Sequence, residues 1–158
     1  MQVCQVDDGG SLFISPAIDE WAPLGEHGID TVIDLDGGLD HCIPTVPNQV
    51  LYLYFPIYDE DLPDLDKLRA IADLAANLIR SGHRVLSHCG MGFNRSALVA
   101  GLTLCRLGMT GADAVGRLRA CRPGALFNER FAEFLGSIGA TMPVTDIPRD
   151  RSEIKNPQ

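Results

Sequence analysis

Residues 88–96, His-Cys-Gly-Met-Gly-Phe-Asn-Arg-Ser, hold one thiol, two glycines and one guanidinium within a short loop. A cysteine becomes a strong nucleophile only as its thiolate. Arginine offers a planar fork that matches two oxygens of a phosphate. Glycines at 90 and 92 permit the positive-φ turns that let consecutive backbone N–H groups converge on an anion. The amides of Gly90, Met91, Gly92, Phe93, Asn94 and Arg95 could therefore ring a phosphate. The apolar stretch from Ala97 to Cys105 reads as a helix, whose positive end would point at the same spot. Amides, helix end and guanidinium all favour an anionic sulfur at Cys89, so this spacing points to covalent phosphate chemistry. Two other loop chemistries fail. An ATP-binding loop needs a lysine that is absent here. A dinucleotide loop needs a third glycine where Arg95 stands, and a following strand with a ribose-binding acid.

His88-Cys89-x5-Arg95-Ser96 resembles the HCx5R(S/T) motif of cysteine-dependent protein phosphatases. The resemblance runs roughly from Leu12 to Leu135 and is closest to the compact dual-specificity type. Low-molecular-weight phosphatases and arsenate reductases carry a similar loop near the N-terminus, whereas Cys89 lies mid-chain. The resemblance implies hydrolysis of phosphate monoesters through a cysteinyl-phosphate, with Cys89 as nucleophile and Arg95 binding the phosphate. It further implies that Ser96 hydrogen-bonds the departing sulfur and that His88 orients the loop. It places a general acid on the loop ahead of the helix that precedes the nucleophile strand. That loop reads FPIYDEDLPDL, and Asp59, Glu60 and Asp61 compete there. Asp59 follows a PI-x-D pattern common in the family and is preferred; Asp61 stays open. Asn128, in LFNERF, matches a loop-bracing asparagine of the family. Neither metal nor cofactor is expected.

Four variable loop positions, Gly90, Met91, Phe93 and Asn94, carry no positive charge, unlike relatives that act on phosphoinositides or RNA 5′-triphosphates. Phosphotyrosine on proteins is the expected substrate, with phosphoserine or phosphothreonine also open. The alternatives are a phosphatase of a non-protein ester, or a phosphate-binding module without turnover. Phe93 and Tyr58 are candidates to line the entrance. Arg122 and Arg130 could edge the pocket and meet a second anion.

The elements that must hold this loop are legible from periodicity. QVCQV and SLFIS flank an Asp/Gly turn and read as a hairpin. AIDEWAPLGEHG reads as a weak helix ending near Gly28. IDTVIDL and VLYLYFP read as strands. Leu65, Leu68, Ile71, Ala72, Ala75, Leu78 and Ile79 recur at helical spacing between Asp64 and Gly82. RVLSH is a short buried strand, and Ser96–Leu107 a central buried helix. Thr110 with Asp113 resembles a capping box opening a helix to about Cys121. Asn128–Gly139 is the last predicted helix. The fold class is α/β: a single, mostly parallel sheet of four or five strands flanked by helices, phosphatase-like. Ligands in such folds bind at the carboxyl ends of strands, where residues 89–95 fall. Residues 1–142 form one catalytic domain and 143–158 a polar tail.

Length and composition agree. The 158 residues are 46% hydrophobic and 22% charged, with a net charge of −8. That charge argues against a nucleic-acid groove and against docking on anionic membranes. The expected partner is a phosphorylated protein or small phosphate ester, and a monomer is expected. The N-terminal residues lack a signal-peptide profile, and no apolar run is long enough to span a bilayer. Five cysteines at irregular spacing, with no CxxC, predict neither a disulfide framework nor a zinc site. A reducing cytoplasm is the expected compartment. Cys4, Cys105 and Cys121 read as inert core thiols. Cys42 is structural or, as the alternative, forms a protective disulfide with Cys89. His27, His41 and His83 read as surface residues.

Overall fold

The computed structural model describes residues 1–139. The predicted tail at 143–158 lies outside the described residues. The first strands are β1 (Cys4–Gln5) and β2 (Leu12–Ser15), paired antiparallel as the hairpin pattern predicts. A short helix α1 (Ala22–Glu26) follows, then β3 (Thr31–Asp34) and β4 (Leu51–Tyr54). Helix α2 (Leu65–Arg80) leads into β5 (Val85–His88) and α3 (Arg95–Arg106). Two more helices, α4 (Gly111–Cys121) and α5 (Glu129–Gly136), complete the described fold.

The sheet order is β1-β2-β5-β3-β4, with β2, β5, β3 and β4 parallel. Both faces are covered, as a parallel sheet requires. Alternate side chains sort onto them with period two. Leu12, Ile14, Ile33, Leu35 and Val85 join the larger core under α2–α5. Phe13, Val32 and Leu86 pack on the other face with Leu24 and Ile29.

Helix α2 starts at Asp64, whose carboxylate accepts from the N–H groups of Asp66 and Lys67 at 3.0 and 3.1 Å. Leu68, Ala72 and Ala75 are its buried stripe. Helix α3 is buried all round, from Ser96 through Cys105, and packs against α2, α4 and α5. Glycines make that crowding possible. A Cβ on Gly101 would stand 2.7 Å from Leu135 Cδ1, and one on Gly111 would run into the Leu135 carbonyl. Thr110 caps α4 by accepting from the Asp113 N–H at 3.2 Å. The last helix is shorter than its sequence pattern. It ends at Gly136 rather than Gly139; beyond it Ile138 N–H donates three residues back to Leu135 O at 3.1 Å, and Ile138 O accepts from Gly111 N–H at 2.8 Å.

Parallel register brings the working ends together. Ser15 and Asp34 both lie opposite His88, and Asp34 lies opposite Tyr54. The loops leaving β2, β3, β4 and β5 therefore share one edge of the sheet. This edge is where the loop at 89–94 and the acidic loop at 55–64 meet. No helix among the described residues is long and apolar enough to cross a membrane.

Candidate active site

Cys89 follows the last residue of β5 and is only 2% exposed. Its thiol lies 3.5 Å from Ser96 Oγ, to which it donates, and it accepts the Gly92 N–H at 3.3 Å. The loop's carbonyls turn the other way. Gly90 O accepts from Ala17 N–H, Met91 O from an Arg122 Nη2–H, and Phe93 O from Leu126 N–H. Among the described residues no peptide bond is cis. In a trans peptide the N–H opposes the carbonyl before it, so the N–H groups of Met91, Gly92 and Asn94 face inward. Surrounding segments thus hold the carbonyls out and present the amides as an anion nest. Gly92 carries the turn, at φ +71°, and a Cβ there would stand 2.6 Å from the backbone of Ser15 and Pro16.

Arg95 opens α3. Its Nη1 donates to Asp36 Oδ1 at 3.0 Å, Leu35 O at 3.2 Å and Ile57 O at 3.3 Å. Its Nε is buried without a hydrogen-bond partner. Orphaned buried donors are costly and uncommon, and a guanidinium whose Nη2 lies against Gly90 of a ring of amides fits an anion.

On the other side of the loop stands Asp59. Asn94 Nδ2 donates to its Oδ2 at 2.8 Å, and Asn128 Nδ2 to its Oδ1 at 2.9 Å. Asn128 also donates to Glu60 O at 3.1 Å, consistent with the bracing role implied by its place ahead of α5. Asp61 pairs with Arg130. The adjoining cleft, about 560 Å³, runs from Asp59, Glu60 and Asp61 to Phe127, Asn128 and Arg130.

His88 is fully buried, and its Nε2 lies 2.7 Å from Asp40 Oδ2. Tyr52 Oη donates to Asp34 Oδ2 and lies 3.0 Å from Asp40 Oδ2. The sequence reading missed this buried set of Asp34, Asp40, Tyr52 and His88, and it missed Asp36 beneath Arg95. A signal existed: DLDGGLD puts three carboxylates in the loop leaving a strand that must neighbour β5. Ligand atoms of Asp34, Asp40 and His88 lie within 4.8 Å of one another; their hydrogen bonds with each other and with Tyr52 account for the grouping. Burial, followed by the hydrogen bond to Asp34, pushes the Tyr52 hydroxyl above its ordinary range.

Burial also raises the Asp34 carboxyl above the usual aspartate value, against the opposing pull of the Tyr52 hydrogen bond. A carboxyl raised in the native state stabilises the fold fully below its unfolded value, about 3.9, and loses that contribution as pH climbs through the native value. Urea unfolding of the wild type and Asp34→Asn, from about pH 4.5 to pH 8, tests this linkage. The variant is expected to gain stability relative to the wild type as pH rises. Parallel pH dependences in the two chains would refute it.

Other residues sort more simply. Phe93 packs against Arg122, whose guanidinium carbon sits 4.3 Å from the ring centroid, and against Phe127. Arg117 pairs with Asp8, and Arg119 holds the carbonyls of Ala125 and Leu126. Tyr58, Met91 and Phe127 are the strongly exposed apolar groups beside the site, Tyr58 at 84%. His27, His41 and His83 are exposed, and His83 meets Asp30. Cys4 and Cys105 are buried, Cys121 is half-buried and Cys42 is exposed. Burial pushes the Cys121 thiol up to about 11 and raises that of Cys105.

The family described as polymorphic toxin system, DSP-PTPase phosphatase, matches residues 9–109. The chain belongs to this family. It is a cysteine-dependent phosphatase of the dual-specificity type, as the loop motif implies. Its fold superposes on human DUSP28 with a TM-score of 0.71 and 25% identity, covering 84% of this chain and 89% of that one. Tk-PTP in its active form gives a TM-score of 0.67 and 27% identity over 84% and 92% of the two chains. The Yvh1 phosphatase domain from Chaetomium thermophilum shares the fold, at TM-score 0.68 and 20% identity over 85% and 94%. No curated protein sequence matches the chain. The five-stranded mixed sheet flanked by helices is the one the sequence predicts.

Proposed function

We propose that this phosphatase hydrolyses phosphotyrosine, and secondarily phosphoserine or phosphothreonine, on proteins through a phosphate covalently held by Cys89. The observation that carries the reading is the Cys89 sulfur beneath inward amides, with the Arg95 guanidinium at the same loop, its Nη2 3.4 Å from where a Cβ on Gly90 would stand. The Cys89 thiolate attacks phosphorus and forms the S–P bond. The P–O bond to the leaving group breaks, and Asp59 gives that oxygen its proton. Amides of residues 90–95 and the free donors of Arg95 hold the equatorial oxygens, whose charge is stabilised most in the transition state. Water then attacks phosphorus and gives a proton to Asp59. The S–P bond breaks, and the Ser96 hydroxyl donates to the departing sulfur. Inorganic phosphate leaves. His88, tied to Asp40, fixes the strand end that carries Cys89.

The surroundings favour a peptide over a polyanion. Glu60 puts negative charge at the rim, Asp36 pairs with Arg95, Arg122 is spent on Phe93 and Met91, and Arg130 on Asp61. Tyr58, Met91 and Phe127 offer apolar surface to an aromatic substrate. With a net charge of −8, neither nucleic acid nor anionic membrane is a suited partner. A monomer working in the cytoplasm completes this reading.

Labelling tests it. Ser96→Ala deprives the departing sulfur of its donor, so this variant, quenched in acid during turnover of a phosphotyrosine peptide labelled on phosphate, should retain label on the segment bearing Cys89. Hydrolysis without any label on that segment would overturn the covalent route. A parallel panel of phosphopeptides, inositol phosphates and sugar phosphates ranks the substrates. Faster turnover of the non-protein esters would overturn the protein assignment.

A further inference from the structure

Asn94 is 1% exposed and lies next to the arginine of the phosphate loop. A buried amide must place both its ends, and this one does so in a closed ring. Its Nδ2 donates to Asp59 Oδ2 at 2.8 Å. Asn128 Nδ2 donates to Asp59 Oδ1 at 2.9 Å. The Asn128 backbone N–H returns to Asn94 Oδ1 at 3.0 Å. The ring thus joins the loop after β5, the loop after β4 and the start of α5.

We propose that Asn94 is a positioning residue: it fixes where, and at what rotation, the Asp59 carboxyl stands relative to the phosphate loop. This rests on the reading of Asp59 as the general acid. An aspartate on a surface loop turns freely about two side-chain bonds, and holding it still costs entropy at the moment of proton transfer. Two amide donors, one on each oxygen, remove that freedom in advance. Each carboxyl oxygen offers two acceptor directions, so each keeps one for the transferable proton. Amide N–H groups keep their own protons, so Asn94 orients the acid without competing as a proton source. Because Asn94 neighbours Arg95 in the chain, the group that aims the acid and the group that holds the phosphate belong to one rigid loop.

The test uses the dependence on the leaving group. Phenyl phosphate expels a poor leaving group and needs the acid; dinitrophenyl phosphate expels a good one and does not. We expect Asp59→Ala to lose about 10²-fold or more in kcat/KM on the first and little on the second. Asn94→Ala should follow the same pattern, losing about 10- to 100-fold on phenyl phosphate and less than about threefold on dinitrophenyl phosphate. Asn94→Ser keeps a small polar side chain that is too short to reach Asp59, so it serves where the alanine variant fails to fold. An equal loss on both esters would make Asn94 a support of the phosphate loop alone and overturn the inference, as would no loss on either. If Asp59→Ala shows no leaving-group dependence, the reading of Asp59 has failed first and the inference falls with it. If Asp59→Ala shows that dependence and the Asn94 variants do not, only the inference fails.

Discussion

Cys89→Ser is expected to lower turnover of an aryl phosphate by at least about 10⁴-fold while phosphate binding changes by less than about threefold. The two side chains have nearly the same shape, so the inward N–H of Gly92 and the neighbouring Ser96 keep their places. The chemistry changes completely. A serine hydroxyl stays protonated where a thiol can ionise, and no base stands against residue 89 to help it. His88, the adjacent imidazole, is turned to Asp40. A 10⁴-fold loss corresponds to about 5.5 kcal/mol of transition-state stabilisation. Steady-state kinetics measure the loss, and calorimetric titration with inorganic phosphate measures the binding. Activity that survives the substitution would rule out sulfur as the nucleophile. A collapse of binding together with turnover would mean that the thiol holds the loop's shape rather than attacking phosphorus.

Arg95→Lys is expected to cost about 10³-fold in kcat/KM, about 4 kcal/mol, although it keeps the positive charge. The guanidinium serves two directions at once in this structure. One terminal nitrogen is committed to Asp36, Leu35 O and Ile57 O. The Nε stays buried and unpartnered, and Nη2 lies against Gly90 of the loop. A lysine ammonium is a single point with no fixed fork. It can satisfy Asp36 or reach the phosphate, but it cannot do both. We expect the loss to appear in both KM and kcat, because the fork binds the ground state and also the equatorial oxygens as charge develops. A lysine variant within tenfold of the wild type would show that charge alone suffices and that the fork geometry is idle.

Asp36 gives that second experiment its structural interest. It lies in DLDGGLD, a stretch that reads as loop, and only the pairing of β3 with β5 brings it under Arg95. The same pairing sets Asp34 opposite His88 and lets Tyr52, one strand further out, reach both Asp34 and Asp40. A set of titratable groups therefore sits behind the nucleophile although its members span residues 34 to 88. None of them has the local spacing of a motif.

The sequence by itself determined much about this protein. Period-two and helical patterns located the strands and helices, and their alternation implied a parallel sheet with its loops at one edge. The thiol, glycines, arginine and serine lie within one loop, so local geometry alone assembled that part of the site. The Thr110 cap was visible because capping is a local hydrogen bond. Tertiary structure decided the rest. It tied Asp59 to Asn94 and Asn128 and paired Asp61 with Arg130. It set Phe93 against Arg122, and it ended α5 at Gly136 rather than Gly139. The reason is the same in each case. Neighbours within a few residues meet through fixed backbone geometry, whereas partners dozens of residues apart meet only once strand register and helix packing have set the distance between them.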